Sequence, residues 1–263
     1  KLKTPTYMVG CVGTDASADF LVNTAKEYGV NVDYIRKVPG SSGMGVINAV
    51  EDGSVYACIV RGANFEVTKE DVDNAMPILK ESGVCILQNE IPVEIIAYAI
   101  DKAKEAGCTV VLNAAPAIEL PEECLSKVDI LVVNEVEAEF YCHEKIDSVE
   151  KAKTEIKKMA EKYNNNVIFT LGKDGAVAYE NGTIEFIPAM KVDAIETTGA
   201  GDTFMGCMLD RILEKGYQNL QKCDLEAMLQ FANAAASIIT TRRGALRVMP
   251  EREEIVRLIS YIN

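Results

Sequence analysis

The sequence lacks tryptophan, has one histidine, and draws only 6% of its 263 residues from the aromatic types. It contains no apolar run of transmembrane length, no G-x-x-x-x-G-K-[ST] loop and no G-x-S-x-G elbow. These absences exclude P-loop nucleotide hydrolases and α/β hydrolases. The lone histidine, His143, stands beside Cys142 without further ligands in its neighbourhood, so we interpret the pair as loop structure and not as a zinc site.

The chain also lacks a balance of charge, because 27 Lys and Arg residues stand against 40 Asp and Glu residues and the formal net charge is -13. Nucleic acids and anionic membrane surfaces would repel such a chain, so neither is an expected partner. An anionic substrate would need local positive potential at its own site. The eight cysteines form no C-x-x-C pair and lie mostly in apolar runs, which is typical of reduced thiols in a cytoplasmic protein.

The apolar pattern alternates short β-rich runs with longer amphipathic runs. Residues Thr6 to Gly13 predict a buried strand and Ala18 to Gly29 a helix. Later strands are predicted at "VCILQNE", "TVVLN", "VDILVVNE" and "NVIFTLG", with helices at "PVEIIAYAIDKAKEAG" and "SVEKAKTEIKKMAEKY". "GAVAYENGTIEFIP" predicts a hairpin, and three helices follow at 201–215, 225–240 and 251–262. The fold class is therefore α/β, with a mainly parallel sheet covered by helices on both faces.

One stretch departs from this alternation of predicted strands and helices. "VNVDYIRKV", "GMGVINAV" and "SVYACIV" alternate in period two with turn residues between them, among them Asp52-Gly53. They predict a small antiparallel meander. "GSSGMG", Gly40 to Gly45, lies inside it and opens no helix, so we reject a dinucleotide-binding loop there.

Polar residues close several predicted strands of the sheet. They are Glu90, Asn113, Asn134 with Glu137, and Thr170 with Gly172. Ligands of parallel α/β sheets bind beyond the carboxyl ends of the strands, so these positions carry functional weight.

The segment "TTGAGDTFMG", Thr197 to Gly206, places two glycines directly before an aspartate and an apolar helical run. Glycine lets backbone N–H groups converge, and a helix start adds unpaired N–H groups and a positive dipole. Gly199, Ala200 and Gly201 could thus form an anion hole for a phosphoryl group. Asp202 could then accept the proton of a hydroxyl nucleophile. A simple turn with a helix cap fits the decapeptide equally well, and both interpretations stay open.

The decapeptide resembles the signature of the ribokinase-like carbohydrate kinases. "LQNEIP", "LNAAPAIELP", "VVNEVEAE", "FTLGKDGAV" and "FANAAASIITTRRGA" resemble segments of that family in the same order and at similar spacing. The resemblance covers essentially the whole chain, and "NAAPA" and "TRRGA" favour the ribokinases within the family. It implies one kinase domain over 1–263, with a β-strand lid inserted at about 31–60.

The resemblance also implies roles for individual residues. Asp202 is the base, with Gly199, Ala200 and Gly201 as anion-hole amides, and Glu90 contacts the sugar. Asn134 and Glu137 organise the ATP phosphates and a hydrated Mg²⁺, Thr170 and Gly172 line the nucleotide site, and Asn233 lies near the adenosine. Taken singly, Glu90 reads as a solvated loop carboxylate, Asn134 and Glu137 as helix caps, Thr170 as an ordinary strand residue, and Asn233 as a surface residue; their joint order favours the functional roles.

A monovalent cation, usually K⁺, is implied beside the anion hole. The residues on its loops are Glu196, Thr198, Thr240, Arg243 and Ala245, most of them through backbone carbonyls. Glu196 stands where the family usually has Asp, and Arg247 where a small hydroxyl residue is common. Both departures weigh against K⁺ activation.

The implied reaction is ATP-dependent phosphorylation of D-ribose at the O5 hydroxyl. Lys1 aligns after the family's sugar-binding Asp strand and its G-G-K-G-x-N segment, so we expect an N-terminally truncated chain that binds nucleotide yet phosphorylates ribose poorly. The alternatives are a kinase for deoxyribose, fructose or adenosine, and a non-catalytic nucleotide-binding protein. The family's lid also pairs subunits, which implies a homodimer.

Overall fold

The structure is a computed structural model that describes residues 1–49, 55–217 and 222–262. The chain divides into two compact units. The N-terminal unit comprises Pro5–Ser82 and Gln88–Gly107, and the sheet unit comprises Lys1–Thr4, Gly83–Leu87 and Cys108–Asn263. No helix in the described ranges combines the length and apolarity needed to cross a membrane.

The N-terminal unit begins with a strand, a helix and a second strand: β1 (Tyr7–Val12), α1 (Ala16–Glu27) and β2 (Asn31–Lys37). The side chain of Asp15 caps α1, and Gly29, with φ +80°, turns the chain towards β2. The predicted buried strand is buried only at its last two residues, Cys11 and Val12, whereas Met8 near its start is 53% exposed.

The predicted three-stranded antiparallel meander is wrong in its first strand. β2 pairs with β1 in parallel, with Tyr7 opposite Asn31 and Val12 opposite Lys37. The helix between the two strands provides the crossover that a parallel pair needs. Period-two alternation identified β2 as a strand but carried no information about its partner.

The other two predicted strands form an antiparallel hairpin, β3 (Met44–Ala49) and β4 (Val55–Val60). Among the described strands, these two form a sheet of their own. The predicted Asp52-Gly53 turn lies outside the described residues. "GSSGMG" leads into β3 and not into a helix, as expected.

The rest of the N-terminal unit contains a 3₁₀ helix at Gly62–Glu66 and three α-helices, α2 (Lys69–Asn74), α3 (Met76–Leu79) and α4 (Val93–Ala106). α4 was predicted, and it ends at Gly107 in the left-handed conformation. The sequence pattern did not reveal α2 and α3, which are too short to show a helical period.

The sheet unit contains a six-stranded, mostly parallel sheet. Its strands are β5 (Val84–Gln88), β6 (Thr109–Asn113), β7 (Ile130–Asn134), β8 (Asn166–Thr170), β9 (Ala176–Glu180) and β10 (Thr183–Ile187), and their order across the sheet follows their order in the chain. β6, β7 and β8 are parallel neighbours, whereas β9 and β10 form the predicted antiparallel hairpin around Asn181-Gly182.

Helices cover both faces of this sheet. They are α5 (Glu122–Leu125), α6 (Glu135–Cys142), α7 (Val149–Tyr163), α8 (Ala200–Lys215), α9 (Lys222–Thr240) and α10 (Arg252–Ile262). Ile130 and Val132 pack into one core with residues of α8 and α9. Leu131 and Val133 alternate to the opposite face and are fully buried, and α7 packs against β8 and β9. The predicted α/β fold class is confirmed.

Candidate functional site

A cleft of about 180 Å³ opens at the carboxyl ends of β6, β7 and β8, beside the first turn of α8. It lies within the sheet unit. Its polar lining residues are Asn113, Asn134, Glu137, Thr170 and Asp202, with Gly201 beside them. The structure therefore brings together residues that lie up to 89 positions apart in the sequence, from Asn113 to Asp202, at the edge where parallel sheets bind ligands.

The turn that opens α8 has the geometry that the glycines predicted. Gly199 is the residue before the helix and has φ +77°, a conformation that favours glycine. The N–H of Thr203 donates to the Gly199 carbonyl at 2.9 Å, and the N–H of Ala200 donates to the Thr197 carbonyl at 3.1 Å. The N–H groups of Gly201 and Asp202 fall in the first turn, where a helix offers no internal acceptor.

The two glycines of this turn differ in what surrounds them. A methyl group on Gly199 would come within 3.3 Å of Ala245 Cβ and Ile239 Cδ1. Close packing and the positive φ therefore both explain why this residue is a glycine. A methyl group on Gly201 would meet nothing within 4 Å. Packing within the chain thus gives no reason for glycine at 201, whereas a ligand close to the backbone would.

Asn134 and Glu137 form a reciprocal cap at the start of α6. The N–H of Asn134 donates to Glu137 Oε2 at 2.7 Å, and the N–H of Glu137 donates to Asn134 Oδ1 at 3.0 Å. Burial raises the pKa of the Glu137 carboxyl, and the hydrogen bonds from Asn134 partly oppose that rise. The capping interpretation is correct, and the same two side chains also face the cleft.

Thr170 is the last residue of β8, where it lies opposite Asn134 on one side and Ala176 on the other. Gly172 follows at the start of a single 3₁₀ turn and has φ +46°. A methyl group on Gly172 would lie 3.3 Å from Glu135 Oε1, and burial raises the pKa of Glu135. Thr170 lines the cleft, while Gly172 shapes the turn behind it.

Asn233 is 5% exposed and is not a surface residue. Its Nδ2 donates to the carbonyl of Ile187 at 2.9 Å and, at 3.5 Å, to that of Pro188. Asn233 thereby fastens α9 to the chain that leaves β10. In this structure its amide group is occupied by the protein backbone.

The residues predicted to hold a monovalent cation converge next to Gly199. Glu196 Oε2 accepts from the N–H of Gly244 at 3.1 Å, and the Thr198 hydroxyl also bonds to this carboxylate. Those hydrogen bonds, Thr198 first, lower the pKa of Glu196. The Thr240 carbonyl accepts from the N–H groups of Ile195 and Glu196, at 2.7 and 3.1 Å. The charged carboxylate suits a cation, whereas the Thr240 carbonyl has both of its lone pairs engaged.

Glu90 is the residue predicted to contact the sugar. It lies in the turn after β5 and is exposed, and it belongs to the N-terminal unit, whereas the cleft belongs to the sheet unit.

Asn113 was predicted to matter as a polar strand-end residue, but no role in binding or catalysis was assigned to it. It is the last residue of β6 and lines the cleft with Asn134 and Thr170. The signal was present in the sequence, because Asn113 is a polar residue that closes a buried strand.

The charge of the cleft is unusual for a phosphate site. Its described lining contains the carboxyl groups of Glu137 and Asp202, and neither lysine nor arginine. Attraction for an anion must therefore come from backbone N–H groups, from the start of α8, or from a cation that arrives with the ligand.

Three comparisons place the chain among known proteins. Residues 1–252 match the description "pfkB family carbohydrate kinase". The chain is 34% identical to a ribokinase of Staphylococcus aureus, over 97% of this chain and 82% of that protein. It is 32% identical to a deoxyribokinase of Salmonella typhi, over 99% and 83%. A solved structure of Arabidopsis thaliana ribokinase complexed with ribose and ATP is 29% identical, with a TM-score of 0.84 over 97% of this chain and 82% of that one.

Proposed function

Because the chain belongs to the pfkB family of carbohydrate kinases and is a sugar kinase, we propose that it transfers the γ-phosphoryl group of ATP to the O5 hydroxyl of D-ribose. The family and the fold are given by the comparisons. The choice of ribose is supported by the similarity to ribokinases, of which one has been solved with ribose and ATP.

One observation carries the proposal: Gly201 and Asp202, in the first turn of α8, line the same cleft as Asn134 and Glu137. Asp202 accepts the proton of the sugar hydroxyl as its oxygen attacks the γ-phosphorus. The bond from that phosphorus to its bridging oxygen breaks, and ADP leaves. We propose that the N–H groups of this turn hold the charge of the phosphoryl oxygens during transfer. Those of Gly201 and Asp202 lie in the first turn of α8, whereas that of Ala200 is shared with the Thr197 carbonyl.

Mg²⁺ fits the donor set of the cleft, because a carboxylate and an amide oxygen are the hard ligands it accepts, directly or through water. We propose that Asn134 and Glu137 hold it through its waters. When bound, it neutralises charge on the ATP phosphates. A cleft lined by two carboxyl groups and no basic side chain makes this neutralisation necessary.

K⁺ belongs to the finer part of the proposal. We propose that the Glu196 carboxylate and the chain at Thr198, Arg243 and Ala245 hold it. The Thr240 carbonyl supports the loop instead, since it already accepts two backbone hydrogen bonds. A methyl group on Gly199 would lie 3.3 Å from Ala245 Cβ, so the loop that carries Ala245 packs against the proposed phosphate-binding turn. A cation that fixes this loop would therefore also help to fix the turn.

For the nucleotide, we propose that Thr170 and Gly172 lie along ATP. Asn233 acts on the adenosine side by fixing the chain after β10, because its amide is occupied by the Ile187 carbonyl.

We also propose that the two units make up one kinase domain and that Glu90 contacts the sugar. The β3–β4 hairpin is proposed to be the lid of the sugar site. Met44, Val46, Ile59 and Val60 on this hairpin are each more than 40% exposed, which supports pairing with a second copy. We further propose that the protein works in the cytoplasm, because its cysteines form no C-x-x-C pair and lie mostly in apolar runs, as reduced thiols do.

The test is a phosphotransfer assay with ATP, Mg²⁺ and a panel of D-ribose, 2-deoxy-D-ribose, fructose and adenosine. We expect the highest kcat/KM with D-ribose. Asp202→Asn should lower kcat by roughly 10²–10⁴-fold while ATP affinity persists. A preference for 2-deoxy-D-ribose would favour the second candidate, which the deoxyribokinase relative supports. A protein that binds ATP yet transfers phosphate to none of the four would contradict the proposal.

A further inference from the structure

Among the described residues, no third strand pairs with the β3–β4 hairpin to fix its direction. In the described part of the chain its two strands hydrogen-bond only to each other as a sheet. A lone two-stranded hairpin is marginally stable in water. Where the hairpin points therefore depends on the residues that precede β3 and follow β4.

Those residues meet at one point. Ser41 and Ser42 precede β3, and Gly62 and Ala63 follow β4. The N–H of Ala63 donates to the Ser41 carbonyl at 2.9 Å. Gly62, with φ +48°, approaches so closely that a methyl group there would lie 2.6 Å from the Ser42 carbonyl oxygen. The start and the end of the hairpin are thus joined at its base.

Asp15 ties this base to the start of α1. Its Oδ2 accepts from the N–H of Ser42 at 2.9 Å, and its Oδ1 accepts from the Ser42 hydroxyl at 2.7 Å. Oδ1 also caps α1 by accepting from the N–H of Ala18 at 3.1 Å. The hydrogen bonds from Ser42 are the main cause of the lowered pKa of Asp15, so the carboxylate is charged at neutral pH.

Ser42 is the centre of the arrangement and is only 2% exposed. Its hydroxyl donates to Asp15 and at the same time accepts from the N–H of Gly13 at 3.0 Å. A methyl group on Gly13 would lie 2.5 Å from the Ser42 nitrogen, so the segments touch backbone to backbone. The N–H and the hydroxyl of Ser42 thus all have hydrogen-bond partners on Asp15 and Gly13, and the backbones of the two segments are in close contact.

We propose that Asp15 and Ser42 are positioning residues that set the direction of the β3–β4 hairpin and thereby the affinity for sugar. This inference rests on the proposed function, in which the hairpin is the lid of the sugar site. Neither residue touches substrate in this scheme. They act through the base of the hairpin.

The experiment compares the wild-type protein with Ser42→Ala and Asp15→Asn. Ser42→Ala removes both hydroxyl hydrogen bonds. Asp15→Asn keeps a good helix cap but loses one acceptor oxygen for Ser42. Ser41→Ala is the matched control, because Ser41 contributes its backbone carbonyl and its side chain is exposed. Hydrogen exchange at residues 44–49 and 55–60 is measured with KM for sugar and for ATP.

We expect Ser42→Ala to speed exchange in both strands about tenfold and to raise KM for the sugar by a similar factor, with KM for ATP unchanged. Asp15→Asn should act in the same direction, and Ser41→Ala should match the wild type. Faster exchange without a change in sugar KM, equal rises in both KM values, or no change in either measurement would overturn the inference. A wild-type protein that phosphorylates no sugar would instead refute the proposed function, while exchange would still report on the base of the hairpin.

Discussion

Asn134 and Glu137 bond to each other twice through the backbone, N–H of Asn134 to Glu137 Oε2 at 2.7 Å and N–H of Glu137 to Asn134 Oδ1 at 3.0 Å. A third contact joins Asn134 Nδ2 to Glu137 Oε1 at 2.9 Å. Both oxygens of the buried carboxylate are therefore oriented before any ligand arrives. The cap of α6 and the proposed Mg²⁺ site are built from the same atoms, so stability and activity are coupled here.

That coupling predicts a pH dependence. Burial raises the pKa of Glu137, so folding favours its protonated form. The stability from this group is fully present below its ordinary value of 4.5 and is lost as pH rises through the raised pKa. Glu137→Gln stays neutral and can still complete the cap. Its free energy of unfolding, relative to the wild type, should increase from pH 4 to pH 7 in urea titrations.

Activity should move the other way in this variant. Loss of the carboxylate should lower kcat/KM by roughly 10–100-fold at pH 7, because the residue that orients the waters of the metal is gone. Glu123→Gln, whose side chain is 83% exposed, is the control for a charge change alone. A stability difference independent of pH would contradict the raised pKa.

Gly201 gives a second prediction, in which a stabilising change impairs function. Its Cβ position is open, so Gly201→Ala should raise the free energy of unfolding by roughly 0.5–1 kcal/mol. The same methyl group would intrude on the space of a phosphoryl oxygen, and kcat/KM should fall at least about tenfold. Gly206→Ala in the same helix is equally open and exposed, and should be stabilising with unchanged activity. Equal kinetics in the two variants would show that no ligand approaches Gly201.

Much of the sheet unit was predictable because its signals are local. Buried strands such as β7 read as continuous apolar runs, and Asn181-Gly182 marks a hairpin by turn chemistry alone. The helix start at Gly199–Asp202 was predictable for the same reason. Its glycines and its aspartate lie within four residues of one another, and the geometry they need is that of a single turn.

Pairings between distant segments were not predictable. The pattern of β2 satisfies either an antiparallel or a parallel neighbour, and only the course of the chain through α1 decides. The role of Asn233 depends on the Ile187 carbonyl, 46 positions away. The bond between Asp15 and Ser42 spans 27 positions and left no mark in the composition of either segment.

Asn233 yields a third prediction, which separates a structural role from contact with the nucleotide. Asn233→Ala would leave the Ile187 carbonyl without its donor, so the free energy of unfolding should fall by about 1–3 kcal/mol. KM for ATP should rise with it, because the chain after β10 is released, while KM for sugar should stay constant. Glu226→Ala, exposed on the same helix, provides the comparison. An unchanged unfolding midpoint would mean that the hydrogen bond to Ile187 contributes nothing.

Glu196 decides the question of the monovalent cation. Its carboxylate is kept charged by Thr198 and Gly244, beside the turn that carries the phosphate-binding amides. We expect phosphotransfer to be faster in KCl than in NaCl or tetramethylammonium chloride of equal ionic strength. Glu196→Gln, which lacks the charge, should reduce that difference, whereas Asp193→Asn, an exposed acidic residue on the same segment, should preserve it. If all three salts support the same rate in the wild-type protein, the hydrogen bonds of Glu196 hold the loop unaided, and the cation has no part in the reaction.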